Sequence, residues 1–175
     1  RDRVAMAQTG EMTFWDHLED LRICIFRMLG VYIVAVIVLF FFKGFLFDGL
    51  ILAPSRPDFF LYQMLGTDFS MTLVNIEVAA QFLIHIRITL ICAFIVTFPV
   101  IVYELWRFIA PALYENEKRL VKGAFAFASL LFYLGVAVGY ALVFPLMLNF
   151  FSGYQVSPEI ANTFSLTSYI SLFTS

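Results

Sequence analysis

Charge is scarce in this chain. Of its 175 residues 14% are Asp, Glu, Lys or Arg, against 62% hydrophobic, and its mean hydropathy is +0.89. A water-soluble domain is about half apolar and about a quarter charged, so this composition excludes a soluble globule and implies an integral membrane protein. The net charge is −2, and no basic tract or stacking motif points to nucleic acid. Cysteine is scarcer still, at two residues. Cys24 and Cys92 stand in separate apolar runs, at positions expected to differ in depth, which makes a disulfide improbable. There is no H-E-x-x-H, no G-x-S-x-G and no metal-ligand cluster. His17 and His85 are expected on opposite sides of the membrane, so they cannot share a metal. No cofactor is implied, and a polytopic enzyme would lack a polar constellation at one depth.

Long apolar runs are present instead. Crossing the hydrocarbon takes about twenty of them in sequence. The spans are expected at about 23–42, 79–103 and 123–150, with a fourth beginning near 164 and not completed. Arg27 interrupts the first, His85 and Arg87 the second. Pro99 in the second and Pro145 in the third remove a backbone donor and crowd the preceding turn, so these spans are expected to bend. The fold class is therefore an all-α polytopic membrane protein over residues 1–175, preceded by a polar N-terminal helix at 13–22. The polar N-terminus does not read as a cleaved signal peptide. The chain starts at Arg1 and stops inside "SLTSYISLFTS", which suggests part of a longer protein.

Cations orient the spans. Arg1, Arg3, Arg22 and Arg27 precede or enter the first span, and Arg107, Lys118, Arg119 and Lys122 lie between the second and third. The first connecting loop holds Lys43 and Arg56 alone. The cation-rich side is expected to be cytoplasmic, with the N-terminus on it. The long loop at 44–78 carries Asp48, Asp58, Asp68 and Glu77 among apolar stretches, as short interfacial helices do.

Two acidic segments face the cytoplasm in this topology. In "TFWDHLEDLRICIFRML", Thr13 is a candidate N-cap, and Phe14, Leu18, Leu21, Ile25 and Leu29 form one apolar stripe. Glu19 and Arg22 stand three apart and can pair, while Asp16 and Asp20 stand four apart and repel. In "ELWRFIAPALYENEKR", Pro111 stops a continuous helix, and Glu117 falls in or near the first turn of the third span. One reading is a solvated acidic face and a helix cap. The other is a receptor in which Asp20 and Glu117 converge on a guanidinium ligand, with Trp106, Phe108 and Tyr114 as apolar walls. Those aromatics also fit an interfacial belt.

"HLEDLR" (17–22), "FPVIVYELWRFIAPALYENEKRL" (98–120), "FYLGVAVGYALVFPL" (132–146) and "QVSPEIA" (155–161), with "LAP" (52–54), together resemble TatC. That family is the multispanning receptor subunit of the twin-arginine protein translocase, and the resemblance covers almost the whole chain in order. It implies six bent spans with both termini cytoplasmic, in a bacterial cytoplasmic (inner) membrane. It further implies recognition of twin-arginine signal peptides on folded cargo, and transport driven by the protonmotive force. The expected partners are small single-span subunits of the TatA and TatB type, the lipid bilayer and other copies of the chain. The resemblance places the arginine-binding carboxylates at Asp20 and Glu117, a receptor aromatic at Phe108, and the arginine of the N-terminal motif at Arg22. Glu19 and Glu104 are secondary candidates.

The chain departs from the family in two ways. The family usually has glutamate where Asp20 stands, and aspartate is one methylene shorter, so Glu19 could share its task. The remainder of the fourth span and the two after it do not occur in this sequence. A rival reading, a small-molecule transporter or channel, would have His85, Arg87 and Glu104 line one polar path. Arg87 also fits a cation snorkelling to the outer interface, and no partner for His85 is legible.

Overall fold

The computed structural model describes residues 14–67, 69, 71–155, 157 and 163–175. Thr13, Arg1, Arg3 and Asp68, and the "PEIA" of the last motif, lie outside the described residues.

Helix α1 (Phe14–Phe41) takes in both the polar N-terminal segment and the first apolar run without a break. After a loop, α3 spans Ala80–Ile109, and α4 (Glu115–Val138) continues into α5 (Phe144–Gly153). These three stretches are long and apolar enough to cross a membrane. The helices outrun the apolar runs because the polar residues at 16–22 and 115–122 hold no proline or glycine and continue the same helical register. A last helix, α6, covers Leu166–Thr174, with Ser165 capping it through Ser168 N–H to Ser165 Oγ at 3.1 Å.

Neighbouring spans run antiparallel. Along α1 and α3 the contacts are His17 with Phe108, Cys24 with Glu104, Tyr32 with Leu90 and Phe40 with His85. Along α3 and α4 they are Trp106 with Phe125, Phe98 with Phe132 and Ile95 with Tyr133. One end of the bundle thus gathers the start of α1, the end of α3 and the start of α4. The long loop, the start of α3, the end of α5 and the start of α6 meet at the other.

The packed core sits at the long-loop end. Leu46, Ile51, Tyr62 and Phe69 of the loop pack with Ile84 and Ile88 of α3, Phe144 and Leu148 of α5, and Tyr169 and Ile170 of α6. The loop itself folds as a π-helical turn at Phe45–Ile51, a 3-10 turn at Ala53–Ser55 and α2 (Phe60–Leu65). Gly66, at φ 65°, ends α2 in the left-handed conformation that glycine adopts without strain. Two short strands, β1 (Leu73–Val74) and β2 (Phe164–Ser165), pair in parallel across this end. Apolar side chains along the middle of the spans, such as Ile33, Val34 and Leu130, are exposed, as a lipid-facing surface requires.

Tyrosines from elsewhere in the chain donate to backbone carbonyls at a proline and in the long loop. Pro99 cannot donate to Ile95 O, and Tyr133 Oη donates to that oxygen at 2.7 Å. Leu50 O, at the end of the π-helical turn, accepts from Tyr140 Oη at 2.6 Å. Tyr169 Oη donates to Ile51 O at 2.7 Å, and Tyr62 Oη to Pro54 O at 2.9 Å. Pro145 follows a π-helical turn at Gly139–Val143, where the wider hydrogen-bond spacing accommodates the missing donor. Buried Thr89 and Thr97 satisfy their hydroxyls on His85 O and Ala93 O, one turn back.

Candidate functional site

The candidate residues lie on three segments at one end of the bundle. On α1 the row His17, Asp20, Cys24 and Arg27 advances by three and four residues, so it forms one side of the helix. Three members of that row touch α3. The His17 ring lies on Phe108 with centroids 4.4 Å apart and planes 20° apart. Cys24 Sγ donates to Glu104 O at 3.5 Å, and an Arg27 guanidinium nitrogen stands 3.8 Å from Glu104 Oε2. Asp20 falls between these contact points and is exposed.

Each acid in the group has a distinct setting. The Glu104 side chain is 14% exposed and commits its carboxylate to Arg27. Glu19 pairs with Arg22 at 3.4 Å, an exposed contact one turn apart, and Arg22 also lies 5.9 Å from the Phe26 ring centroid. Pro111 sits in a 3-10 turn at Ala110–Ala112 that ends α3. Tyr114 then adopts extended backbone, and α4 starts at Glu115.

Glu117 is the third residue of α4. Its backbone N–H donates to Tyr114 O at 2.9 Å, and its Oε2 accepts from Tyr114 N–H at 3.3 Å. That is the carboxylate half of a capping box, and the helix dipole favours its charge. Its other oxygen projects from an exposed residue. Next to it, Lys118 Nζ donates to Glu115 Oε1 at 2.8 Å, and this contact holds the Glu115 carboxyl below its ordinary range.

The structure therefore brings Phe108 and Glu104 against α1 and leaves Asp20 and Glu117 exposed at the same end. His17, Cys24 and Arg27 were not among the sequence candidates, although they anchor the N-terminal segment. Their three- and four-residue spacing was the available signal. His85 and Arg87 lie apart. His85 stacks on Phe40 at 4.3 Å beside Phe47, with a buried Nε2 that lacks a hydrogen-bond partner. Nineteen residues of helix put about 28 Å between it and Glu104, and the stretch between holds buried Ile88, Cys92 and Ala93. Buried Thr89 and Thr97 also lie in that stretch, but both spend their hydroxyls on α3's own carbonyls, so it offers the channel reading no run of free polar side chains. Among the described residues, no three His, Cys, Asp or Glu side chains group as metal ligands do.

Three membrane-length helices, with backbone carbonyls satisfied inside the fold, define a polytopic helical membrane protein. Residues 16–175 match the family described as Sec-independent protein translocase protein (TatC). The chain belongs to the TatC family. It is 33% identical to the TatC protein of Blattabacterium sp. subsp. Periplaneta americana, over 94% of this chain and 68% of the relative. It is 38% identical to TatC of Escherichia coli K12, over 85% of this chain and 56% of the relative. A crystal structure of the twin-arginine translocase receptor TatC superposes with a TM-score of 0.67 at 30% identity, covering 90% of this chain and 65% of that one. The chain thus spans roughly half to two thirds of these relatives' length. With its membrane-length helices and bacterial relatives, it is an integral inner-membrane protein of a translocase family, not an enzyme.

Proposed function

We propose that the end of the bundle bearing Asp20, Phe108 and Glu117 faces the cytoplasm and binds twin-arginine signal peptides of folded cargo. The observation that carries this reading is the pinning of the α1 N-terminal segment onto the end of α3. His17 on Phe108 and Arg27 on Glu104 hold Asp20 in place at the end where α4 presents Glu117. Two exposed carboxylates on separate rigid helices suit a ligand with two guanidinium groups, since arginine offers a planar fork of donors to a carboxylate. Glu19 and Arg22 already hold each other, so they serve as an adjacent exchangeable pair; Glu104 acts as a support. The cations Arg107, Arg119 and Lys122 keep this end on the cytoplasmic side. In the assembled translocase the chain works with small single-span subunits of the TatA and TatB type and with further copies of itself, and the protonmotive force drives passage of the cargo.

The test is a titration of the full-length protein, in detergent or nanodiscs, with a twin-arginine peptide and its lysine–lysine counterpart. The arginine peptide is expected to bind about tenfold more tightly, and Asp20→Asn to remove most of that preference. Equal affinity for the two peptides would overturn the assignment.

A further inference from the structure

We infer that Tyr133 is a positioning residue for the signal-peptide site, acting through the proline break in α3. The inference rests on the function proposed above. Pro99 divides α3 into a part packed at the long-loop end and a part that carries Glu104 and Phe108. A proline removes the bond that would hold these two parts in line. The carbonyl it frees, Ile95 O, accepts from Tyr133 Oη at 2.7 Å. Tyr133 belongs to α4, the helix whose first turn presents Glu117. One hydroxyl thus ties the break in α3 to the helix bearing the other half of the site.

The surroundings reinforce the tie. Phe98, next to the proline, stacks on Phe132, next to the tyrosine, with centroids 3.7 Å apart and planes 16° apart. Phe94 meets Phe132 edge-on at 6.3 Å. Inside a bilayer no water can replace the phenol as donor to Ile95 O. Loss of the hydroxyl leaves the carbonyl to find a partner by shifting the helix, and the far part of α3 moves with it. Glu104 and Phe108 lie on that part.

Tyr32 provides the internal contrast. Its hydroxyl also donates to an α3 carbonyl, Leu90 O at 3.0 Å. Residue 94, however, is a phenylalanine with its own N–H, so Leu90 O keeps its helical donor. The same chemical group is dispensable at one position and required at the other, and the proline makes the difference.

The experiment uses the full-length protein with Tyr133→Phe, Pro99→Ala, the double variant and Tyr32→Phe. Twin-arginine peptide affinity and the thermal unfolding midpoint are both read. Tyr133→Phe is expected to weaken peptide binding about fivefold, the size of one ordinary hydrogen bond. Pro99→Ala supplies Ile95 O with a backbone donor, so the double variant is expected to bind within about twofold of Pro99→Ala alone, and Tyr32→Phe to match the parent. Unchanged binding in Tyr133→Phe, or an equal loss with and without Pro99, would overturn the inference. If the parent itself binds no twin-arginine peptide, the proposed function and Tyr133's role in it both fall. The unfolding midpoints then still decide the tie itself: cancellation of the Tyr133→Phe shift by Pro99→Ala sustains it, and an undiminished shift refutes it.

Discussion

Arg27 and Glu104 face each other at 3.8 Å across the α1–α3 contact, the acid 14% exposed and the base 49%. The asymmetry decides which loss costs more. Without Glu104, the half-exposed guanidinium can still reach solvent or lipid headgroups. Without Arg27, a largely buried carboxylate loses its ion-pair partner. Arg27→Met is therefore expected to destabilise the protein by about 1–3 kcal/mol, and Glu104→Gln by less. The double variant should recover part of the Arg27→Met loss. Thermal unfolding in one detergent checks all three, and a larger loss in Glu104→Gln than in Arg27→Met contradicts this ordering.

Glu117 has two separable jobs in this reading, capping α4 and meeting the ligand. Glutamine at the same position preserves the cap, because its amide oxygen can still accept from Tyr114 N–H. Glu117→Gln is thus expected to hold stability within about 0.5 kcal/mol while weakening a twin-arginine peptide about tenfold. Glu117→Ala should lose both. Parallel unfolding and peptide-binding curves separate the two jobs, and a Gln variant that binds as the parent does removes the charge from the site.

The His17–Phe108 stack is an aromatic contact between segments far apart in sequence. Such a pair contributes about 0.5–1.5 kcal/mol beyond the area it buries. A double-mutant cycle with His17→Ala and Phe108→Ala is expected to return a coupling in that range. A cycle that returns none would mean that the stack adds nothing to the packing of the N-terminal segment.

Alkaline pH offers a probe of the long-loop end. Burial pushes the Tyr62 phenol up to about 12, from about 10 in an unfolded chain. The raised value means that Tyr62's contribution is fully present below about pH 10. It declines as the unfolded state ionises and the folded state does not, until the folded phenol also ionises near 12. The midpoint of unfolding is expected to fall between those values, and Tyr62→Phe to flatten that part of the fall. Equal slopes in the two proteins would refute the role given to Tyr62.

The membrane helices were legible because length and apolarity are local properties: an uninterrupted run of lipid-compatible side chains has few other structures open to it. The stop at Pro111 was local as well, since a proline acts on its own turn. The parts that escaped depend on partners far along the chain. Tyr140 reaches Leu50 across 90 residues, and Tyr169 reaches Ile51 across 118. A tyrosine in an apolar run reads the same whether or not a carbonyl awaits it. Pro99 was the better clue: inside an α-helix it marks a carbonyl four residues back, Ile95 O, that needs a donor. At the candidate site the acids could be placed on helices, whereas the histidine, thiol and guanidinium that anchor Asp20's helix became visible only with α3 beside it.

The pairing of β1 with β2 carries a consequence for biogenesis. Leu73 and Val74 precede the second membrane crossing, and Phe164 and Ser165 follow the third. A ribosome that has released the first helical hairpin has delivered one edge of this ladder and not its mate. The cap over that side closes when the later segment arrives, so the order of synthesis is also an order of assembly. Until then the strand edge at Leu73 and Val74, in the loop at the end of the bundle, has yet to meet its mate.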